Sequence, residues 1–231
     1  MTNLVFQEQD PYTLQELCNL IREKAPKLEI DWLLLSHIDT FYRKTATNLK
    51  NPYHNLLHCQ LVCANALHII SKEGPYLSLD TVRVLTAACM FHDYNHSGRP
   101  YTIVKDSVNI EDAKEGFLKF SDEYDFFDDY DKSTVLDLIS VTEYDGKYKF
   151  FPNEPVGYLQ KVIRDADLSM GSCGVIGLTL ISNIPIEMGI QITVESFRIT
   201  NLNFLKSATA FTSVGAEMLR DSYKACSSFF R

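Results

Sequence analysis

Positive charge is scarce in this sequence. Its 231 residues include 22 Lys and Arg against 30 Asp and Glu, which gives a formal net charge of −8. Polymeric phosphate attracts basic proteins, so this acidic balance argues against a nucleic-acid polymer as partner. A small phosphorylated molecule remains compatible with it, because a bound metal ion can supply positive charge locally.

Segments that direct a chain into or across a membrane are also lacking. The first ten residues, MTNLVFQEQD, have no basic stretch followed by an apolar one, as a secretory signal would. The most apolar stretch, Gly171 to Ile192, is interrupted by Asn183, Pro185 and Glu187. A bilayer span needs about 20 mainly apolar residues, so we interpret this stretch as buried core. We expect no membrane association.

The six cysteines show neither CxxC spacing nor the density of a small disulfide-stabilised protein. They are Cys18, Cys59, Cys63, Cys89, Cys173 and Cys226. Reduced thiols are typical of the cytosol, so we expect a cytoplasmic protein.

Period-two alternation of apolar residues, the mark of strands, is nearly absent, and apolar residues recur at helical spacing almost throughout. The sequence therefore predicts an all-α fold, and without linkers or repeats it predicts a single domain over residues 1–231. The segment Val82–Phe91 is apolar nearly all round, which indicates a central helix. Helices are expected to begin near Thr13, Ile30, Asn51, Asp80, Ser107, Lys132, Pro155, Thr193 and Phe211.

Five of the six histidines lie between His54 and His96, and four of these form two pairs. His54 and His58 are four residues apart, as are His92 and His96, so each pair can share one helical face. Asp93 directly follows His92. Imidazole and carboxylate together are the usual ligands of zinc, iron, manganese or cobalt. Buried without partners, these groups would be costly, so the pattern favours a metal site.

A further anionic ligand is expected from the helix that follows Pro155. Asp167 lies at the edge of its apolar stripe, four residues after Ile163, whereas Asp165 follows Lys161 by four residues on the opposite side. We therefore assign Asp167 as a ligand and expect Asp165 on the surface.

The ordered set His58, His92-Asp93 and Asp167 resembles the H…HD…D signature of the HD-domain metal-dependent phosphohydrolases. Within that superfamily, PYHNLLHC, FHDYNHSG and RDADLS are most similar to the YHNxxHA, HDxxHPG and ATDLA segments of class I 3′,5′-cyclic-nucleotide phosphodiesterase catalytic domains. DSVNIEDA (Asp106–Ala113) is similar to the SVLEN helix of those domains. A serine stands where the second motif has proline.

The resemblance implies a compact multi-helix domain with its active site between the central helices. The motifs fall within about residues 52–168. N-terminal helices would occupy residues 1–50, and C-terminal helices in residues 169–231 would form the wall of the pocket.

The resemblance also implies two divalent metal ions. His58, His92, Asp93 and Asp167 would hold the first, which is expected to be zinc, manganese, iron or cobalt. Asp93 would bridge to the second, magnesium or manganese, which is completed mostly by water. The ions would provide hydroxide for attack on phosphorus.

Two histidines outside that ligand set receive their roles from the same resemblance. His54 would be the general acid that protonates the departing ribose oxygen. His96 and Glu111 would hydrogen-bond the water around the second ion or help to hold it.

Five further residues are candidates for contact with the substrate. Arg99, Lys105 and Asn109 follow the second histidine pair, and the two basic side chains could reach phosphate oxygens. Gln191 and Phe204 lie in the C-terminal part, where a nucleotide base could be held.

The expected function is hydrolysis of a phosphodiester in a cyclic nucleotide or a related small nucleotide. A nucleotidase or (deoxy)nucleoside triphosphohydrolase is an alternative, because the superfamily uses the same metal core for both reactions. A non-catalytic nucleotide sensor is a further alternative. The sequence leaves the base preference and the oligomeric state open.

Overall fold

A computed structural model describes residues 3–73, 77–100, 102–144 and 155–230. Its helices are α1 (Leu14–Lys24), α2 (Trp32–Thr45), α3 (Leu56–Glu73), α4 (Leu79–Phe91), α5 (Asp106–Glu123), α6 (Asp129–Ser140), α7 (Tyr158–Leu168), α8 (Gly174–Ser182), α9 (Ile184–Glu187), α10 (Val194–Ser207) and α11 (Ser213–Phe229), with a 3₁₀ turn at Met170–Cys173. Within the described ranges the only β-type pairing is an isolated bridge between Asn3 and Thr193. The predicted all-α fold is confirmed.

Several helices begin where a short polar side chain can accept a hydrogen bond from the first turn. The Thr13 side chain accepts from the Glu16 N–H at the start of α1, and the Ser78 side chain accepts from Thr81 at the start of α4. Thr193 caps α10 in the same way. Such caps satisfy backbone donors that have no partner inside the helix. Each lies within two residues of a start that the helical spacing predicts.

The predicted start of α3 near Asn51 is wrong. The helix begins at Leu56, and the Asn55 side chain caps it by accepting from the His58 N–H at 3.1 Å. His54 therefore lies in the segment before α3 and not on its first turn. In this segment the backbone N–H groups of Tyr53 and His54 donate to the distant Glu187 carboxylate.

Helix α4 lies at the centre of the fold. Every residue from Val84 to Phe91 is buried, as its apolar sequence predicts. It packs against α2, α3, α5, α6 and α7, so no face of it is left to solvent over this stretch. Since His92 caps its C-terminal end, the helix delivers His92 and Asp93 to the interior.

The apolar stretch in the C-terminal half folds as three short elements. By length and composition alone, Met170–Glu187 could cross a membrane, with a mean hydropathy of 1.2. The structure divides it into the 3₁₀ turn, α8 and α9, and 61% of it is buried. Core helices often meet the same compositional test, so this is weak support for a membrane span.

Asp165 is not on the surface, contrary to the prediction. It is 0% exposed and accepts hydrogen bonds from the backbone N–H of Phe211 at 3.0 Å and of Thr212 at 2.7 Å. The Thr212 hydroxyl also donates to it, at 2.7 Å. The apolar stripe of α7 faces the core, but the start of α11 covers the opposite side, which a single-helix pattern cannot reveal.

Candidate metal and catalytic site

Four side chains from α3, the end of α4 and α7 meet at one point. His58 Nε2 lies 3.1 Å from His92 Nε2, 3.0 Å from Asp93 Oδ2 and 3.2 Å from Asp167 Oδ1. His92 Nε2 lies 3.2 Å from Asp93 Oδ2 and 3.8 Å from Asp167 Oδ1. The structure thus brings together all four residues that the sequence proposes as ligands, and we call them the His/Asp cluster.

Hydrogen bonding prepares the His92 imidazole to act as a ligand. Its Nδ1 lies 2.8 Å from the carbonyl oxygen of Cys89, and since a carbonyl only accepts, Nδ1 carries the proton. In the neutral ring Nε2 then presents its lone pair to the cluster. A backbone carbonyl behind the ring is a common way to orient a metal-binding histidine.

The two carboxylates of the cluster favour positive charge between them. Burial lowers the pKa of His58, but its hydrogen bonds to Asp167 and Asp93 outweigh burial and raise that pKa to about 9. Burial would raise the pKa of Asp93, yet His92 and His54 hold it well below its usual range. Two carboxylates and two imidazole nitrogens therefore converge around one buried point where positive charge is favoured. Such a donor set fits a divalent metal ion, and His58, His92 and Asp93 lie close enough together to hold one.

Next to the cluster, His54 is held by a carboxylate from α9. Glu187 Oε2 accepts from the backbone N–H of Tyr53 at 2.7 Å and of His54 at 3.0 Å, while Oε1 contacts His54 Nδ1. Burial lowers the pKa of His54, but the negative charges of Glu187 and Asp93 raise it overall. His54 is therefore oriented through Nδ1, and Nε2 is its free ring nitrogen.

His96 stacks on His54, with ring centroids 3.8 Å apart. Together with Glu187 these two histidines form a second group of metal-ligand type. However, His96 Nδ1 already accepts from the Gly98 N–H at 3.1 Å. The Glu187 oxygens already contact the backbone N–H and Nδ1 of His54. We therefore interpret this group as a hydrogen-bonded support for His54.

The structure does not bring Glu111 to the cluster. Its side chain is 72% exposed and pairs with Lys114 at 2.8 Å. Asp106, at the start of the same helix, instead lies 3.7 Å from His96 Nε2 through its Oδ1. The two acidic residues are five positions apart, about 140° around a helix, so only one can face the site.

A cavity of about 260 Å³ opens beside the cluster. His54, Asp93, Asp106 and Asp167 reach it from one side. Its apolar wall consists of Leu168, Met170, Ile181, Ile184, Phe197, Phe204 and Leu205. Helix α10, within the region that the sequence assigned to the pocket wall, contributes Phe197, Phe204 and Leu205 to it.

Of the five predicted substrate contacts, one lines this cavity. Phe204 is part of its wall. Arg99, Lys105 and Gln191 are exposed elsewhere. Asn109 is buried, where it hydrogen-bonds the backbone N–H of the serine after His96 and the side chain of Asp106.

Sequence reasoning missed three residues of the site, which are Glu187, Asp106 and Asn201. Glu187 did carry a signal, because a lone acid inside an apolar stretch needs a partner when buried. Asp106 carried none, since acids in the first turn of a helix are common for electrostatic reasons. Asn201 lines the cavity from α10, in a helix without any recognisable motif.

No protein-family model matches this sequence, and no curated protein matches it. Among solved structures, the chain is similar to the phosphodiesterase domain of the RhoPDE fusion protein from the choanoflagellate Salpingoeca rosetta, with a TM-score of 0.62. The match covers 97% of this chain and 90% of that chain at 13% sequence identity. At this identity the likeness shows the fold alone. The predicted resemblance to phosphodiesterase domains is thereby confirmed at the level of the fold, and it extends well beyond residues 52–168.

Proposed function

We propose that this protein is a metal-dependent phosphohydrolase that cleaves a phosphodiester in a cyclic nucleotide or a related small nucleotide. The observation that carries the proposal is the convergence of the His/Asp cluster beside a cavity that His54 also lines. The phosphodiesterase-like fold supports it.

The proposed cofactors are two divalent ions, which would supply Lewis acidity and activated water. The His/Asp cluster would hold the first ion, of zinc, manganese, iron or cobalt. The Asp93 carboxylate would be shared with the second, magnesium or manganese, and His96 and Asp106 would orient its water. Asp106 here takes the role that the sequence suggested for Glu111.

His54 is proposed as the general acid. It lines the cavity, and Glu187 fixes its Nδ1, so that Nε2 is available to protonate a departing ribose oxygen. The adjacent carboxylates favour the protonated imidazole, which is the form an acid needs. A proton is required because an alkoxide is a poor leaving group.

The charge of the cavity favours a diester over a triphosphate. The described residues that line it include Asp93, Asp106 and Asp167 and no Lys or Arg. A phosphodiester carries one negative charge, which metal ions can offset, whereas a triphosphate carries several and usually requires basic side chains as well. The triphosphohydrolase alternative is therefore disfavoured.

A substrate panel tests the proposed reaction. Purified protein supplied with Mn²⁺ is incubated with 3′,5′-cAMP, 3′,5′-cGMP, dATP and AMP, and products are identified by phosphorus NMR. We expect a nucleoside monophosphate from a cyclic nucleotide. Release of tripolyphosphate from dATP, or of phosphate from AMP, would instead establish one of the alternative hydrolases.

Two variants and a control test the residue assignments. We expect His54→Ala to retain metal and lose most turnover, and Asp93→Ala to lose metal as well. His68→Ala is the matched histidine control, since His68 Nδ1 bonds the Lys24 carbonyl away from the site. Substoichiometric metal in the wild type together with retained nucleotide affinity would indicate a sensor.

A cytoplasmic location is proposed from the thiols. All six cysteines are unpaired, which is typical of a reducing compartment. The proposed partner is the small nucleotide itself, with neither a nucleic-acid polymer nor a membrane. Accessible-thiol labelling of the protein from intact and lysed cells would test the compartment.

A further inference from the structure

A buried asparagine joins the segment that carries His54 to the segment that carries Asp93. Asn48 lies between α2 and α3 and is 1% exposed. Its Nδ2 donates to the backbone carbonyl of His54 at 2.9 Å and to that of Asp93 at 2.8 Å. One side-chain amide therefore contacts the backbone of both the proposed acid and a proposed metal ligand.

The remaining hydrogen-bonding capacity of this amide is also used. Asn48 Oδ1 accepts from the Asn95 N–H at 3.2 Å and from the Tyr42 hydroxyl at 3.2 Å. A primary amide offers two donors and two acceptor sites, so all four are occupied. Since a saturated buried amide cannot rotate without breaking several bonds, it holds its partners at fixed separations.

The Asp93 segment is interlocked with the Asn48 segment by a second asparagine. Asn95 has a φ of +60°, a left-handed conformation that is uncommon for residues other than glycine. Its side-chain oxygen accepts from the backbone N–H of Thr47 at 2.8 Å and from the Thr47 hydroxyl at 3.1 Å. Thr47 and Asn48, which are adjacent in one segment, thus both hydrogen-bond Asn95 in the other segment.

We infer that Asn48 is a positioning residue that sets the place of His54 relative to the His/Asp cluster. The inference rests on the proposed function, in which His54 must reach the departing oxygen while the cluster holds the phosphate. If Asn48 were removed, the Asp93 carbonyl would still accept a hydrogen bond from the His96 N–H, at 3.1 Å. Glu187 would still hold the N–H and Nδ1 of His54 in a variant without Asn48. Loss of Asn48 should therefore shift the carbonyl side of His54, and with it the position of its ring, while Asp93 keeps its place.

Two substrates with different leaving groups test this. The 3′,5′-cyclic nucleotide expels a ribose alkoxide that needs a proton, whereas bis(p-nitrophenyl) phosphate expels a stable phenolate that does not. We expect Asn48→Ala to lower kcat about 10- to 100-fold on the cyclic nucleotide, as displacement of a catalytic group does, and to change kcat on the aryl ester by no more than about threefold. Equal losses on both substrates, or no loss on either, would overturn the inference.

The matched control is Gln60→Ala. Gln60 is also a buried amide with two acceptors, the Tyr12 carbonyl and Asp39 Oδ1, but it touches neither segment. It should lower stability without selectivity between the substrates. If Asn48→Ala does not fold, Asn48→Ser retains one hydroxyl donor and should show the same selectivity with a smaller loss.

A measurement independent of turnover separates this inference from the proposed function. The ring signals of His54 are assigned by NMR through their absence in His54→Ala, and are then compared between variants. Displacement of these signals in Asn48→Ala but not in Gln60→Ala supports positioning, and unchanged signals in Asn48→Ala refute it. If the wild type cleaves neither substrate, the proposed function fails and this comparison alone decides the inference.

Discussion

Replacing Asp165 with alanine tests whether a buried carboxylate anchors α11 to α7. In the structure its oxygens accept from two backbone N–H groups and one hydroxyl at the junction before α11, all between 2.7 and 3.0 Å. The variant would leave these three donors inside the protein without their acceptor. Asp165→Asn keeps one acceptor oxygen but turns an amide N–H₂ towards a backbone donor.

The expected cost follows from these contacts. A buried donor that loses its partner costs about 1–3 kcal/mol. Part of this is recovered, because burial disfavours the charged carboxylate and raises the pKa of Asp165. Water entering the space offsets a further part. We therefore expect Asp165→Ala to lower the free energy of unfolding by about 3 kcal/mol and Asp165→Asn by about half of that.

Urea unfolding at neutral pH, followed by far-ultraviolet circular dichroism, measures this free energy. Asp221→Ala is the control, since that carboxylate is 66% exposed and pairs with Lys224 on the same helix. It should leave the midpoint unchanged. If Asp165→Ala cost less than about 0.5 kcal/mol, as a surface substitution would, the buried anchor would be refuted.

Three further predictions concern the site. Burial would raise the pKa of Glu187, but His54 and backbone N–H groups lower it from 4.5 to about 2. The stabilising contribution of Glu187 is therefore present above pH 4.5 and is lost as the pH falls towards 2. In Glu187→Gln the free energy of unfolding should depend less on pH over this interval, as urea unfolding at each pH would show. Asp106→Asn should reduce turnover on a cyclic nucleotide, whereas Glu111→Gln should match the wild type in the same assay. Mn²⁺ at 100 times its Kd for the wild type should raise the free energy of unfolding by about 2.7 kcal/mol. The same Mn²⁺ concentration should stabilise Asp167→Asn much less, as thermal unfolding would show.

Local patterns were sufficient for several helices and for the His/Asp cluster. Helical period identified the starts of α1, α4 and α10 within two residues. His58, His92 and Asp93 stand out because two histidine pairs at four-residue spacing, one with an adjacent carboxylate, lie close together in the sequence, and Asp167 stands out at the edge of an apolar stripe. These features depend only on neighbours in the chain, so they can be recognised without the fold.

The start of α3 shows where such reasoning fails. Asn51 followed by proline has the local chemistry of a helix start, yet the helix begins at Leu56. The N–H groups of Tyr53 and His54 donate instead to Glu187, more than 130 positions away. That partner became available only when α9 packed against the segment. The same packing orients His54 through its Nδ1.

The sequence by itself determined that the chain is helical and which residues could bind metal, because period, capping and ligand type are properties of short segments. Tertiary structure alone decided that Asp106 rather than Glu111 faces the site, that Asp165 is buried, and that Asn48 ties His54 to Asp93. The physical reason is that a helix pattern reports one apolar face and cannot reveal which distant segment covers the other.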